Sequence, residues 1–414
     1  MQLAWKEIRH SKGRYALILA VIVLVGYLSF FLTALSYGLA QANRTSVDAW
    51  NASSILLSDD ANGNLVSSSV TRAEESKVLG TDANTGTDNT GKSGTKDIEP
   101  VSVLQAVTKI KKSGTTSGEG FNTVVLGVRE DSTLIPQLVS GRNAADEKEA
   151  VASESLSTKD GVQIGDSVSV GRSGYTYNIV GFTKTAEYNT EPVIYVCNGT
   201  FTLPSAYASM SSMSSTAGSN ETTADSSSTA TAATAAAPQQ STQNAASASS
   251  DDAVVASGLV IRDASAKVSV PDGMVSLDMQ SFINNIPGYQ AQVLTFALMI
   301  GFLVGVSALV VGIFIYILTM HKRHLFGVLK AQGYSNGFIS RSILAQTLIL
   351  SVIGTLVGLL LSLLTIAFMP VTVPITVSTY WFAIISGVLV LFSLIGAAFS
   401  ARAVSSIDAI EALS

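Results

Sequence analysis

Four long stretches of the chain contain no charged residue and consist mostly of apolar side chains. They cover residues 15–39, 293–319, 342–368 and 380–401. A helix needs about 20 apolar residues to cross the hydrocarbon core of a bilayer. A soluble core is a poor alternative explanation for uncharged runs of this length, so the pattern predicts four transmembrane helices. Polar residues 41–47 continue the first stretch in sequence compatible with a helix that leaves the membrane.

Basic residues predict the orientation of these helices. Residues 1–14 contain four Lys or Arg against one Glu, and residues 320–341 contain four basic residues and no acidic one. Because loops rich in Lys and Arg stay in the cytoplasm, both termini and the 320–341 loop are expected inside. Residues 40–292 and the uncharged loop 369–379 are then outside, and the tail 402–414 is inside. Residues 1–14 also suit an amphipathic helix at the membrane surface.

Short alternating segments predict strands in the outside region. The expected strands are Thr123–Val128, Val162–Gly171, Tyr175–Phe182, Pro192–Val196 and Ala253–Ile261, and the expected helix is Met274–Ile286. Alternation of apolar and polar residues between Gly-containing turns is typical of half-buried strands. The prediction is therefore a mixed α/β extracellular domain inserted between transmembrane helices 1 and 2.

Two low-complexity segments interrupt this domain. Residues 58–98 are rich in Gly, Thr, Asn and Asp, and residues 205–252 are dominated by Ser, Ala and Thr; both are interpreted as insertions or loops. Residues 86–93, GTDNTGKS, match the letters of a phosphate-binding loop. That motif functions between a buried strand and a helix, and the surrounding sequence predicts neither, so we do not interpret it as a nucleotide site.

Composition and the residue types present limit the functions that the chain can have. The chain is 47% hydrophobic and 13% charged, with a formal net charge of −5, and nothing in it suggests nucleic-acid binding. Cys197 is the single cysteine, so an internal disulfide is impossible. We identify no catalytic residues and no metal ligands, and we expect no cofactor.

The loop between the second and third apolar stretches combines basic residues with an apolar patch. The sequence from His321 to Gln346 carries Lys322, Arg323, Lys330 and Arg341 but no acidic residue. Its patch of Leu325, Phe326, Val328 and Leu329 would serve no purpose in a purely solvated loop. This combination suggests a docking surface for a soluble protein; a solvated or membrane-apposed loop is the alternative.

Several of these segments resemble a known family. The segments LFGVLKAQGYS (residues 325–335) and ILSVIGTLVGLLLS (residues 349–362) and the end of the chain (residues 401–413) are similar to the FtsX-like permease domain, here about residues 293–410. Ala409 stands where the family usually has Pro. The segments GVQIGDSVSV and YTYNIVGF resemble the extracellular porter domain of MacB-type permeases. Within this superfamily MQLAWKEI, PGYQA and MPVTVP are similar to hemin-efflux permeases of Gram-positive bacteria.

The resemblance implies the membrane subunit of an ABC transporter, which is not itself an enzyme. Such a subunit would pair with a separate cytoplasmic ATPase, form a homodimer in a 2+2 complex, and move substrate by mechanotransmission. Hemin would be the exported substrate and ATP would be bound by the partner. Export of antimicrobial peptides, macrolides or lipoproteins is an alternative, as is signal transmission to an extracellular hydrolase without transport.

The resemblance also gives a role to the central loop. Its implied ATPase-coupling residues are Leu325, Phe326, Gly327, Val328, Leu329, Lys330 and Gly333. The apolar side chains would fill a groove on the ATPase, and the two glycines would permit close approach and helix termination.

Two further sets of residues are candidates for substrate binding and helix packing. Haem iron is held by His, Met, Cys or Tyr, and the predicted outer half contains Tyr27, Tyr37, Tyr289 and Met299. Interfacial anchoring of Tyr37 and Tyr289 and plain packing of Met299 are the alternatives. Tyr27 is expected in mid-membrane, where its hydroxyl needs a hydrogen-bond partner. The pairs Gly301/Gly305 and Gly354/Gly358 have the small-xxx-small spacing of closely packed membrane helices. They would serve either internal packing or a dimer seam.

Overall fold

The computed structural model describes most of the chain and divides into two compact units. The described residues are 12–79, 97–112, 115–171, 175–197, 253–263, 268–321, 332, 335–370 and 372–405. The membrane unit comprises Met1–Gln41 and Gln290–Ser414, and the sheet unit comprises Ala42–Tyr289.

The described elements are seven α-helices and thirteen strands. The helices are α1 (Lys12–Ala49), α2 (Arg72–Leu79), α3 (Glu154–Asp160), α4 (Met279–Asn284), α5 (Tyr289–Met320), α6 (Asn336–Phe368) and α7 (Thr379–Ser405). The strands are β1 (Ser54–Ser58), β2 (Val70–Thr71), β3 (Ile98–Lys112), β4 (Thr115–Val128), β5 (Leu138–Gly141), β6 (Glu149–Ser153), β7 (Ser167–Val170), β8 (Tyr175–Thr183), β9 (Glu187–Tyr188), β10 (Glu191–Cys197), β11 (Val254–Ala256), β12 (Gly258–Ile261) and β13 (Met274–Asp278). A short 3₁₀ turn covers Asp59–Ala61.

Four of the helices are long and apolar enough to cross a membrane, which confirms the predicted architecture. Their apolar segments are Tyr15–Ala49, Tyr289–Ile317, Ser340–Phe368 and Thr379–Phe399. The first of these helices continues through the polar residues 41–47, as the sequence suggested. The third begins where the Ser335 hydroxyl caps the Phe338 N–H. The orientation of the helices across the membrane stays a prediction.

Two apolar clusters hold the four long helices together. The first contains Tyr15, Ile18, Ile22, Val311, Ile315, Ile343, Leu350 and Ala397. The second contains Phe30, Ala34, Val304, Phe382, Ile385 and Leu389. Because the first cluster takes members from all four helices, each helix contributes one face to the interior and leaves the opposite face for lipid or another protein.

Six strands of the sheet unit close into a barrel. Their order is β3–β4–β10–β6–β8–β7, and β7 pairs back with β3. The pairs β4–β10 and β6–β8 are parallel and the other four are antiparallel. Closure removes the exposed strand edges and surrounds an apolar core. That core includes Leu104, Ile110, Val125, Leu156, Val168, Tyr177, Ile179 and Ile194.

The long strand β3 also belongs to a second, open part of the sheet. Its first residues, Ile98–Val101, pair with β12, and β1 then lies between β12 and β13. The Trp50 ring stacks on Phe282 of α4 with ring centroids 6.3 Å apart. A second apolar core, formed around Leu56, Leu259 and Met274, supports this part.

The structure corrects two sequence interpretations in this region. The predicted helix Met274–Ile286 begins only at Met279, because Met274–Asp278 is recruited as β13 by antiparallel pairing with β1. Residues 58–98, interpreted as a loop, contain β2 and α2. The phosphate-loop letters at residues 86–93 lie outside the described residues.

The predicted strands differ from the observed ones mainly at their ends. Thr123–Val128 is the second half of the longer β4, and Ala253–Ile261 contains two strands, β11 and β12. Within Val162–Gly171 only Ser167–Val170 is a strand. Its first part is instead a turn in which the Asp166 carboxylate accepts the Gln163 N–H at 2.9 Å.

Candidate functional site

Glycines bring α1 and α6 into backbone contact. A methyl group at Gly354 would lie 2.5 Å from the Ile22 Cγ2 atom. One at Gly358 would lie 2.8 Å from the Tyr27 amide nitrogen and 2.9 Å from the Val23 carbonyl oxygen. Because only a hydrogen fits at these distances, the Gly354/Gly358 pair packs within the chain.

The Gly301/Gly305 pair has a different environment. Apart from the adjoining backbone of α5 itself, no atom of the described residues lies within 4 Å of a methyl group placed at either position. The neighbouring Phe302 side chain on the same helix is 73% exposed. Within the part of the chain that the structure describes, this pair therefore packs against no other helix and lies on an open face of α5.

A second close approach, between α5 and α7, escaped the sequence reasoning. A methyl group at Gly396 would lie 2.3 Å from the Ala308 carbonyl oxygen, and one at Gly312 would lie 3.1 Å from the Gly396 carbonyl oxygen. The two glycines are far apart in sequence, so spacing on one helix could not pair them. Gly312 follows Gly305 by seven residues, so both lie on the same stripe along α5, and of these two glycines only Gly312 is closely approached by α7.

A shallow apolar groove of about 550 Å³ follows this crossing. Its lining includes Gly305, Gly312, Gly396, Tyr316, Phe392 and Phe399. All but Tyr316 are apolar. The groove suits an acyl chain, an apolar ring system or another helix, and the sequence did not reveal it.

Polar side chains also join α1 to α6 inside the membrane unit. The Tyr15 hydroxyl donates to the Gln346 side-chain oxygen at 3.1 Å, and both residues are buried. Farther along the same pair of helices the Thr365 hydroxyl donates to the Tyr27 hydroxyl at 3.4 Å. Hydrogen bonds between membrane helices contribute about 0.6 kcal/mol on average, so they align α1 and α6 more than they stabilise them.

The candidate substrate residues occupy four different environments. Tyr27 is partly buried, and its ring stacks on Phe31 with centroids 6.3 Å apart. Tyr37 is partly buried farther along α1, and Met299 is exposed on α5. Tyr289 is buried in the sheet unit, close to Arg44. This environment differs from that of the other three candidates, which belong to the membrane unit.

The predicted ATPase-coupling residues belong to the segment between α5 and α6. Leu325, Phe326, Gly327, Val328, Leu329, Lys330 and Gly333 lie outside the described residues. Helix α5 before them ends at Met320, and the next residue, His321, has its Nδ1 atom 2.9 Å from the Ile317 carbonyl oxygen. The helix after them begins at Asn336.

The loop between α6 and α7 is fastened to α1. The Thr376 N–H donates to the Ala34 carbonyl oxygen at 3.3 Å. A methyl group at Gly38 would lie 2.1 Å from the Pro374 carbonyl oxygen, so glycine is required there. This contact lies beside the half of α1 that carries Tyr37.

Four membrane helices and a sheet-rich domain between the first two define a multi-pass protein of the cell membrane. Residues 294–409 match the model of the FtsX-like permease C-terminal family. This part of the chain is therefore an FtsX-like permease domain, and the chain is a permease subunit of an ABC transporter.

Two curated proteins are similar to the chain over its full length. The chain is 24% identical over 413 residues to the hemin transport system permease protein HrtB of Staphylococcus haemolyticus, covering 100% of this chain and 99% of that protein. It is 23% identical over 416 residues to the protein of the same name in Staphylococcus epidermidis, with coverage of 100% and 99%. The extracellular domain of the noncanonic ABC-type transporter YknZ from Gram-positive bacteria is 16% identical, covering 35% of this chain and 72% of that domain at a TM-score of 0.24.

Proposed function

We propose that this permease exports hemin in a complex with a separate cytoplasmic ATPase. The observation that carries the proposal is the similarity to two relatives named as hemin transport permeases, which extends over all of this chain. Similarity along the whole length includes the outside domain and the membrane helices together, so a shared substrate is a better explanation than a shared fold alone.

The proposed mechanism is physical and begins in the lipid. Hemin is flat and largely apolar, so it partitions into the bilayer and can enter between helices from the side. ATP-driven movement of the long helices would then close the space around it and expel it outward. Partly buried Tyr27 and Tyr37 and exposed Met299 are the proposed contacts in the outer half, because phenol and thioether groups can ligate haem iron. Tyr289 is the weakest of the four candidates, because it is buried in the sheet unit and does not belong to the membrane unit.

The ATPase would bind the cytoplasmic loop, and two copies of each subunit would form the complex. The apolar side chains between Leu325 and Leu329 would enter a groove on the ATPase, with Lys330 at its rim. The open face of α5 at Gly301 and Gly305 leaves room for a second copy of the chain.

The proposal is tested in cells that lack the gene. Cells complemented with the parent chain should tolerate hemin and lose cell-associated hemin with time. Cells with Phe326→Asp should remain sensitive, because a carboxylate in the apolar patch prevents ATPase docking while membrane insertion is retained. Full hemin tolerance in cells without the gene would refute hemin export. Full hemin efflux by the Phe326→Asp variant would refute docking of the ATPase on the loop.

A further inference from the structure

The tip of one ectodomain hairpin is bonded directly to the backbone of α1. Strands β9 and β10 are joined by the two-residue turn Asn189–Thr190. The Asn189 N–H donates to the Asn43 carbonyl oxygen and the Thr190 N–H to the Ala42 carbonyl oxygen, both at 3.0 Å. Two turn amides that usually face water therefore donate to carbonyl groups of the helix.

Hydroxyl groups of the next helix residues complete this contact. The Thr45 hydroxyl accepts the Glu187 N–H at 2.8 Å, and the Ser46 hydroxyl donates to the Glu187 carbonyl oxygen at 2.9 Å. The Glu187 carboxylate in turn accepts Lys159 of α3 at 2.6 Å. Because Ser46 and Glu187 are both buried, water cannot easily replace these bonds.

Both residues of the turn have an unfavourable backbone conformation with positive φ. Asn189 has φ +53° and Thr190 has φ +68°. Two-residue hairpin turns with positive φ at both positions strongly favour Asn followed by Gly. A β-branched residue with positive φ is a genuine outlier, and such strain persists only where the surroundings impose it.

We propose that this contact, the hairpin latch (Ala42–Ser46 with Glu187–Thr190), makes the barrel follow movements of α1. Strand β10 leads from the latch into the barrel, where it pairs with β4 on one side and β6 on the other. A shift of α1 at Ala42–Ser46 is thus passed through a two-residue turn to a central strand. Thr45, Ser46 and Thr190 are the positioning residues of this contact. The coupling role rests on the proposed function, because a transporter driven from the cytoplasm must move its outside domain.

The latch is tested by a distance measurement and a transport measurement on the full-length protein. Spin labels at Ala49→Cys and Gln163→Cys, both exposed positions, are introduced together with Cys197→Ser. Thr45→Val/Ser46→Ala should broaden the distance distribution between the labels. The same double variant, at the parent level in membranes, should lower hemin efflux from cells by about fivefold, as expected for loss of a coupling contact.

The matched control is Thr33→Val, whose hydroxyl donates to the Ser29 carbonyl oxygen of the same helix at 2.7 Å. It should change neither measurement. Thr45→Val alone removes the bond from the Glu187 N–H and a longer bond of 3.3 Å from the Thr45 hydroxyl to the Glu187 carbonyl oxygen, and it provides a milder variant if the double variant fails to insert. An unchanged distance distribution would overturn the latch, and a broadened distribution with normal efflux would overturn its coupling role. Absence of efflux in parent cells would instead refute hemin export and the coupling role with it, while the distances still decide whether the latch exists.

Discussion

Glycine at position 358 controls how closely α6 approaches α1. The nearest atoms to an added methyl group are backbone atoms of Tyr27 and Val23, which cannot turn aside as a side chain could. At Gly354 the nearest atom belongs to the Ile22 side chain, which has some freedom. Gly358 is therefore the stricter of the two positions.

Replacing Gly358 with Ala should separate α1 from α6 and destabilise the membrane unit by about 1–3 kcal/mol, the usual cost of overpacking. Gly301→Ala is the control, because its methyl group would meet open space within the chain. Thermal unfolding of the detergent-purified protein measures both. Equal unfolding temperatures for the two variants would contradict the assigned packing.

At the scale of elements, the connection between β5 and β6 is closed by an ion pair. The Arg142 Nη1 atom lies 2.6 Å from the Glu149 carboxylate, which also accepts the Ala145 N–H at 3.0 Å. The Arg142 hydrogen bond, followed by the Ala145 N–H, lowers the pKa of Glu149 from its ordinary 4.5 to about 2. Because the folded pKa is below the unfolded one, the ionised carboxylate stabilises the fold above about pH 5, and this contribution is lost as the pH falls toward 2.

The expected consequence is a pH-dependent difference between the parent and Glu149→Gln. The parent should unfold at a higher temperature than the variant at pH 7, and the difference should shrink steadily between pH 5 and pH 3. Asp166→Asn, which removes a carboxylate that accepts a backbone N–H in another turn, is measured beside it to compare the two unfolding temperatures. Scanning fluorimetry across this pH range is sufficient, and a constant difference between Glu149→Gln and the parent would rule out the ion pair as its cause.

The behaviour of β13 shows how an element can be decided by its partner. Residues Met274–Asp278 alone are compatible with a helix, yet β1 supplies five residues of antiparallel pairing. Asp278 then caps α4 by accepting the Ser281 N–H. Sequence reasoning correctly located a helix in this stretch but could not find its start, because the competing partner is more than two hundred residues away.

At the scale of the whole molecule, the predicted orientation across the membrane follows from the basic residues of segment 1–14 and of the 320–341 loop. With the 320–341 loop inside, the sheet unit is outside and His321 lies at the cytoplasmic end of α5. The excess of Lys and Arg in these two segments is the basis of this prediction.

Cysteine labelling checks this orientation directly. In a Cys197→Ser chain, Gln163→Cys should react with a membrane-impermeant maleimide in intact cells, since this position is exposed on the sheet unit. His321→Cys, also exposed, should react only after the cells are permeabilised. Labelling of His321→Cys in intact cells would reverse the assigned orientation.

The sequence alone determined the membrane architecture and the family resemblance. A helix forms all its backbone hydrogen bonds locally, and the bilayer requires a minimum apolar length, so composition over 20 residues is sufficient for each span. The spacing of Gly354 and Gly358 similarly marked a face suited to close packing before any partner was known.

Only the tertiary structure decided which surfaces meet. Pairing of Gly312 with Gly396, closure of the barrel by β7 and β3, and the latch of Asn189–Thr190 on α1 all join segments distant in sequence. Strand pairs and side-chain contacts depend on partners that no local pattern specifies, so they become visible only when the chain is folded.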